Sequence, residues 1–418
     1  MRTVKIELVL PKFKLLSGAE RLILDLGRAL QARGQEVSIV CHAFHPSCRP
    51  VAAALEVRET GLRMDWTGNH YLDSISGYVL APLLRRWISP DADVVCVFGP
   101  ALTLAAFRRR GSRQRLLYCC YEPPRVVDID RDDVLERVRG WRWAVGPLLR
   151  LYRHVDRWLV GRVDAVLVTG PFGRERVAAV YDRESAVVTP GVRLGISSEG
   201  RAEARRRLGF DSTAAMVLNV NFLHPRKRVD LLLRAWAEVE KRVGNARLVI
   251  VGDGPEAAAL RRASRALGLS RVRFCGFVPE SELPSYYQAA DLLCHVARDE
   301  TFGLTILEAA AFGLPAVAVD EGGPRHTVID GETGVLVAAV ESEIAAAIRA
   351  LLEDPGRCGR MGERARERVH AEYRGERGAE EFLALCEALS AGSAGDRRPH
   401  DPQATGQDAV GEKQKQAE

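Results

Sequence analysis

Residues 4–41 read VKIELVLPKFKLLSGAERLILDLGRALQARGQEVSIVC. VKIELVL is an apolar run of strand length. A turn holding Ser17 and Gly18 follows. AERLILDLGRALQARG then repeats its apolar residues at helical spacing and stops at Gly34, where a left-handed residue ends helices readily. EVSIVC is a second strand. Strand, helix and strand in that order make a βαβ unit, which implies a parallel sheet. DADVVCVFG (91–99), QRLLYCCYE (114–122) and VDAVLVTG (163–170) carry the same alternation to about residue 190.

A second series starts near Met216. It runs AMVLNVNFL, the helix VDLLLRAWAEVEKRV, ARLVIVGDG, a helix ending at ALGL, then VRFCGFV, ADLLCHV, PAVAVD and GVLV. The polar, turn-rich stretch YDRESAVVTPGVRLGISSEGRAEARRRLG (181–209) between the two series is expected to be a linker. The expected organisation is an α/β protein of two Rossmann-like, doubly wound domains facing each other across a cleft, the first over 1–195 and the second over 196–375. A helix over 376–392 returns to the first domain. Residues 393–418 have too few apolar side chains for a core and are expected to be a disordered tail.

Bulk composition narrows the partners. A chain of 418 residues that is 47% hydrophobic and 28% charged has the balance of a soluble globular protein. The net charge of +5 is too small to argue for nucleic acid. It is uneven, with 30 Lys+Arg against 21 Asp+Glu in residues 1–195 and 30 against 34 in the rest, so an anionic or membrane partner fits the first half better. The nine cysteines are an odd number, scattered and without metal-ligand spacing, which suits a reducing cytoplasm. The start carries Glu7 inside a strand pattern and is not expected to be a signal peptide. No apolar run reaches the roughly 18 residues of a membrane span.

The chemistry is expected in DETFGLTILE (299–308). Glu300 falls in a loop at the carboxyl end of a strand, and Glu308 lies about two turns into the helix that follows. With that helix starting near Phe302, the amides of Phe302, Gly303, Leu304 and Thr305 face outward from a helix N-terminus, a site for an anion such as a diphosphate. A carboxylate accepts paired hydrogen bonds from vicinal hydroxyls, so the two glutamates suit the sugar and ribose of a nucleotide sugar. The same spacing fits a helix cap and a solvated helix residue.

The longer run from FCGFVPESEL to DGETGVLV resembles the donor half of glycosyltransferase family 4, retaining enzymes of the two-Rossmann GT-B fold. The resemblance rests on the Glu300/Glu308 pair, EAAAFGLPAVA, DGETGVLV, VGDGP and SGAERLILDLGRALQARGQEV, and covers nearly all of the chain but its tail. It implies that Glu308 binds the ribose and Glu300 the donor sugar, and that the amides of residues 302–305 hold the diphosphate. Phe277 and Val278 would flank the base, and Gly18 would let the backbone approach the diphosphate. NVNFLHPRKRVDLLLRAW places Lys227 where the family has its lysine, to neutralise the leaving diphosphate.

Three positions depart from the family. Ser17 replaces a glycine. Phe222 stands where an arginine is usual, leaving Arg226 or Arg228 to supply the charge. Tyr121, in YCCYEPPR, takes the place of a histidine near the reacting sugar, and tyrosine is a poor base near neutral pH. The expected function is a hexosyltransferase moving a sugar, with mannose favoured, from GDP-mannose, or next from a UDP-sugar, to a hydroxyl acceptor that can be lipid-linked. A non-catalytic partner subunit of the same fold is the alternative; the nucleotide-sugar epimerases that share the fold lack this glutamate context. No metal or other cofactor is expected. DIDRDD (128–133) is read as a solvated acidic run rather than a cation site. The run RGWRWAVGPLLRLYRHVDRWLVGRV interleaves Trp141, Trp143 and Trp158 with arginines; it fits either a buried helix or one lying at the inner face of a membrane.

Overall fold

The computed structural model describes residues 3–13, 18–62, 76–108, 113–121, 142–192, 199–211 and 213–391. Within them, seven strands form the first sheet: β1 (Lys5–Val9), β2 (Glu36–Cys41), β3 (Glu56–Glu59), β4 (Val94–Phe98), β5 (Arg115–Cys119), β6 (Ala165–Val168) and β7 (Ala186–Val187). Their order is β3-β2-β1-β4-β5-β6-β7, every pair parallel. Six more strands form the second: β8 (Ala215–Val220), β9 (Ala246–Val251), β10 (Val272–Gly276), β11 (Leu292–His295), β12 (Ala316–Val319) and β13 (Gly334–Val337). Their order is β10-β9-β8-β11-β12-β13, again all parallel.

Helices cover both faces of each sheet. In the first half they are α1 (Gly18–Ala32), α2 (Arg142–Val160) and α3 (Pro171–Tyr181). The second half adds α4 (Arg201–Arg207), α5 (Val229–Arg242), α6 (Ala257–Ala266), α7 (Leu283–Ala289), α8 (Leu304–Ala311), α9 (Pro324–Thr327), α10 (Glu341–Glu353), α11 (Pro355–Glu372) and α12 (Gly375–Ser390). Alternate strand residues feed opposite cores, as the period of two requires. Val94, Cys96 and Phe98 join the cluster under α1, whereas Val95 and Val97 join the one with Leu159 and Val160 of α2. In the second sheet Leu248 and Ile250 pack with Trp236 of α5, and Val249 and Val251 with Tyr286 and Tyr287 of α7.

The stretch expected to be a linker is partly built into the two domains. β7 extends the edge of the first sheet. α4 is anchored to the second domain: the Arg205 guanidinium, buried, donates to the Ala289 carbonyl and, at 2.6 Å, to Asp291 at the start of β11. Sequence composition gave no hint of that anchor, because a run of arginines reads as solvated.

The chain then crosses back. Phe382, Leu383, Cys386 and Leu389 of α12 lie in the core of the first sheet together with Ile23 and Leu24 of α1. Where the two crossings meet, a Cβ on Gly191 would collide with the Gly375 backbone. A seam of Val192, Phe302, Leu307, Ala365, Val369 and Tyr373 joins the halves beside this point. All nine cysteines are free thiols. Among the described residues no helix is long and apolar enough to cross a membrane.

Candidate active site

In the second sheet the strand order reverses direction between β8 and β11. The loops leaving the carboxyl ends of two such neighbours part and open a crevice, the usual ligand site of an open parallel sheet. β8 delivers residues 221–228 there and β11 delivers 296–303. The Arg298 amide donates to the Arg226 carbonyl at 2.8 Å and ties the two loops together.

Pro225–Lys227 form one turn of 3-10 helix, ended by Arg228 in the left-handed region at φ 48°. That turn aims Lys227 at Glu300. Their side chains, 12% and 15% exposed, form an ion pair. His295, fully buried at the end of β11, sits below with Nε2 3.8 Å from a Glu300 oxygen and Nδ1 3.4 Å from the Thr305 hydroxyl. Burial pushes Glu300 up, but the Lys227 charge, His295 and Arg226 outweigh it and hold the carboxyl at about 2. Burial pulls His295 down to about 4 against the attraction of Glu300, so the imidazole is neutral at neutral pH.

Helix α8 starts at Leu304, two residues later than expected, because Gly303 is its cap at φ 84° and no side chain caps it. Among the described residues no side chain meets the amides at its start, which leaves them available as donors, as at helix N-termini generally. The loop before it is held from behind by Gly322 and Gly323. The Gly323 amide donates to the Glu300 carbonyl at 2.6 Å, and a Cβ on Gly323 would lie 2.6 Å from the Phe302 backbone. Only glycine permits so close a backbone approach. Across the crevice a Cβ on Gly18, the first residue of α1, would meet the Leu304 side chain at an ordinary 3.7 Å. The starts of α1 and α8 thus face each other.

Glu308 projects from α8 into a largely buried polar group. One oxygen accepts from the Tyr287 hydroxyl at 2.7 Å, and the other from Arg21 Nη1 of α1 at 3.2 Å. Arg21 Nε lies 3.2 Å from Glu280 and 3.7 Å from Asp25. Burial raises the Glu308 carboxyl, Arg21 and the Tyr287 hydrogen bond pull it down, and Glu280 adds a repulsion that raises it.

The remaining expected residues divide. Phe277 is exposed, whereas Val278 turns into the domain core, so the two do not form one platform. Arg226 lends charge to Glu300. Arg228 donates to both oxygens of Glu321, at 3.0 and 2.9 Å, and is taken up there. Phe222 is exposed and stacks on His224. The Phe302 ring is buried in the seam against Tyr373. Tyr121 packs edge-on to Phe98, 5.4 Å between centroids, and lines a cavity of about 80 Å³ between α1 and α12 with Leu22, Leu26 and Phe382. No contact among the described residues joins Tyr121 to Lys227 or Glu300, and burial pushes its phenol far up. Ser17, DIDRDD, Trp141 and the tail lie outside the described residues.

Sequence reading missed Arg21, Glu280, Tyr287 and His295. Arg21 stood one turn after Gly18 in SGAER; His295 was the one histidine inside the run ADLLCHV.

Residues 17–192 match the glycosyl transferase 4-like domain, and residues 200–368 match glycosyl transferases group 1. A GDP-mannose-dependent alpha-(1-6)-phosphatidylinositol monomannoside mannosyltransferase of Mycolicibacterium smegmatis is 33% identical over 234 residues, which are 53% of this chain and 60% of that protein. A D-inositol 3-phosphate glycosyltransferase of Nocardia farcinica is 40% identical over 50% of this chain and 49% of its own. The matches thus span about half to three fifths of these curated relatives. Among solved structures, sucrose-phosphate synthase from Thermosynechococcus elongatus superimposes with a TM-score of 0.74 at 22% identity, covering 94% of this chain and all of that one. Anabaena HepE in complex with UDP and glucose gives 0.73 at 19% identity, covering 92% and 100%. These likenesses show the GT-B fold.

Proposed function

From the match of residues 200–368 to glycosyl transferases group 1 and of residues 17–192 to the glycosyl transferase 4-like domain, we propose a retaining hexosyltransferase. It moves a sugar from a nucleoside-diphosphate donor to a hydroxyl acceptor, and mannose from GDP-mannose is our choice of donor over a UDP-sugar. One observation carries the reading: the Lys227–Glu300 pair lies beside an uncapped helix start at the switch point of the second sheet. The amides of α8 and Lys227 take the diphosphate, whose charge grows as the glycosidic bond breaks. Glu300, held ionised, accepts from the sugar hydroxyls, and Glu308 from the ribose diol. The donor's phosphate oxygen takes the acceptor's proton, so no enzymic base is required and none is assigned to Tyr121. No metal takes part.

Thermal shift against GDP-, UDP-, ADP- and TDP-sugars identifies the donor, since a tight ligand raises the melting temperature by mass action. NMR of the product then reads its anomeric configuration. An inverted anomer refutes retention. No donor binding and no donor hydrolysis would favour the non-catalytic partner subunit, the reading that the exposed Phe222 supports.

The acceptor surface belongs to the first domain, and α2 gives it a membrane-facing character. Trp143, Leu148, Leu151, Val155 and Trp158 are all exposed, at 44–76%, and fall on one arc of the helix. Arg150 and Arg157 border one side of that arc, and His154 lies within it. The one acid of α2, Asp156, turns inward instead, buried against the Tyr181 hydroxyl at 2.7 Å. A helix with its apolar arc toward solvent and arginines beside it suits an anionic bilayer. We propose peripheral binding there, at the inner face of the cytoplasmic membrane, with a lipid-linked acceptor. Co-sedimentation with phosphatidylglycerol-containing vesicles, but not with pure phosphatidylcholine, supports it when Leu151→Glu abolishes the effect. A dimer in solution that Leu151→Glu dissociates, without vesicle binding, overturns it.

A further inference from the structure

Resting on the reading in which Glu308 takes the donor's ribose, we propose that Arg21 positions and charges Glu308 from the opposite domain, so that closing the cleft and binding the nucleotide are one coupled equilibrium. Arg21 is then a positioning residue, not a catalytic one. Its guanidinium is the only group of the first domain that the structure places on the Glu308 carboxylate among the described residues.

The geometry leaves room for the ligand. Arg21 uses one oxygen of Glu308 and Tyr287 the other. Each carboxylate oxygen has a second lone pair, so both hydroxyls of a ribose diol can still be accepted. A protonated carboxyl would accept only half as well, because one oxygen would become a donor. Every neighbour of Glu308 bears on that protonation. Tyr287 of α7 favours the ionised form by its hydrogen bond. Glu280, from the loop after β10, opposes it by repulsion. Burial opposes it most, and Arg21 is the one opposite charge. Arg21 itself is shared among Glu308, Glu280 and Asp25, and its side chain is only 20% exposed. Solvent therefore screens the contact only in part.

The coupling follows from where the parts sit. Arg21 rides on α1 in the first domain; Glu308, Glu280 and Tyr287 all ride on the second. When the domains separate, Glu308 keeps its repulsion from Glu280 on the same domain but loses its cation. The nucleotide site is complete only in the closed form. A nucleotide that prefers the closed form must shift the molecule toward it by the same factor.

The test uses GDP and UDP without sugar as probes, titrated calorimetrically from about pH 5.5 to pH 8.5. Arg21→Gln is expected to weaken binding by roughly tenfold or more at the acid end, with the loss shrinking as pH rises and Glu308 ionises unaided. Arg21→Lys restores most of the affinity. Small-angle scattering should show the wild type becoming more compact on adding nucleotide, and Arg21→Gln responding less. A loss that is constant with pH, or tighter binding by Arg21→Gln, overturns the proposal; the latter would make Arg21 a competitor for the carboxylate. Glu308→Gln separates the two levels. If it weakens binding while Arg21→Gln does not, the ribose reading stands and Arg21 has no part in it. If Glu308→Gln binds both nucleotides as the wild type does, the ribose reading fails and takes this inference with it.

Discussion

Replacing Lys227 by alanine tests two roles that one side chain carries, and the structure lets them be separated. At rest Lys227 balances Glu300, whose carboxyl is held at about 2 against 4.5 for the free side chain. That difference, which burial opposes and Lys227 supplies together with His295 and Arg226, corresponds to roughly 3 kcal/mol. The sign is that of a depressed acid. The stabilisation is complete above about pH 4.5 and is lost as pH falls toward about 2. Lys227→Ala should therefore lower the melting temperature of the second domain at pH 7 by roughly 6–12 °C. Adding Glu300→Gln removes the stranded charge and should recover most of that loss. In the proposed transfer Lys227 would take a second role, stabilising the charge that develops on the leaving diphosphate, typically on the order of 3–4 kcal/mol per preorganised donor. Lys227→Ala in the Glu300→Gln background should therefore still cut kcat by roughly a hundred- to a thousandfold relative to Glu300→Gln alone. Calorimetry and initial rates read the two effects independently. A variant whose kcat recovers along with its melting temperature would refute the leaving-group role and leave Lys227 a structural counter-ion.

Glu308→Gln should weaken donor binding by roughly 1.5–3 kcal/mol in a titration, whereas Glu300→Gln should lower turnover more than nucleotide affinity. Arg226→Ala should cost activity and Arg228→Ala little, because Arg226 lends charge to Glu300 while Arg228 is engaged by Glu321; equal losses would place Arg228 in the site as well. EDTA should leave initial rates unchanged, and loss of activity restored by manganese or magnesium would bring DIDRDD back as a cation site. Deleting residues 393–418 should change neither melting temperature nor donor affinity.

Both sheets were legible because buried parallel strands write themselves as short apolar runs separated by helical repeats. VKIELVL, EVSIVC and ARLVIVGDG needed no tertiary information to be recognised. β3, with the sequence EVRE, was not legible: an edge strand held by pairing to β2 needs no apolar signature. α4 was missed for a related reason, since its arginines are anchored by Asp291, 86 residues away from Arg205. At the site, Lys227, Glu300 and Glu308 could be found from motif spacing because Lys227 and Glu300 lie in the loops that leave strands and Glu308 lies in the helix that follows. Arg21, Glu280 and Tyr287 converge on Glu308 from separate elements, and only the fold brings them there. Tyr121 shows the converse. Its place in a familiar run suggested the cleft, but its ring satisfies the apolar gap beside Phe98 and α12.

The crevice raises a problem that its charge pairing resolves. A nucleotide sugar presents two kinds of group: hydroxyls, best met by carboxylates, and a dianionic diphosphate, which carboxylates repel. Four glutamates of the second domain border the crevice, and bare they would exclude the diphosphate: at 4 Å, two like charges repel by about 4 kcal/mol at the effective dielectric of a protein surface. Each is met by a cation instead. Lys227 faces Glu300, Arg228 faces Glu321, and Arg21 spans Glu280 and Glu308. The pairing leaves oxygens that accept hydrogen bonds while cancelling most of the field that would reach a phosphate. The α8 amides add partial positive charge at no cost in carboxylate affinity. Removing Lys227 or Arg21 should therefore harm donor binding twice, through a Glu300 or Glu308 carboxyl that protonates more readily and through repulsion that is no longer cancelled. Raising the salt concentration should relieve only the second effect. A charge-removing variant whose donor affinity is fully restored by salt would show that the cations serve the diphosphate alone, and that the carboxylates hold their charge without them.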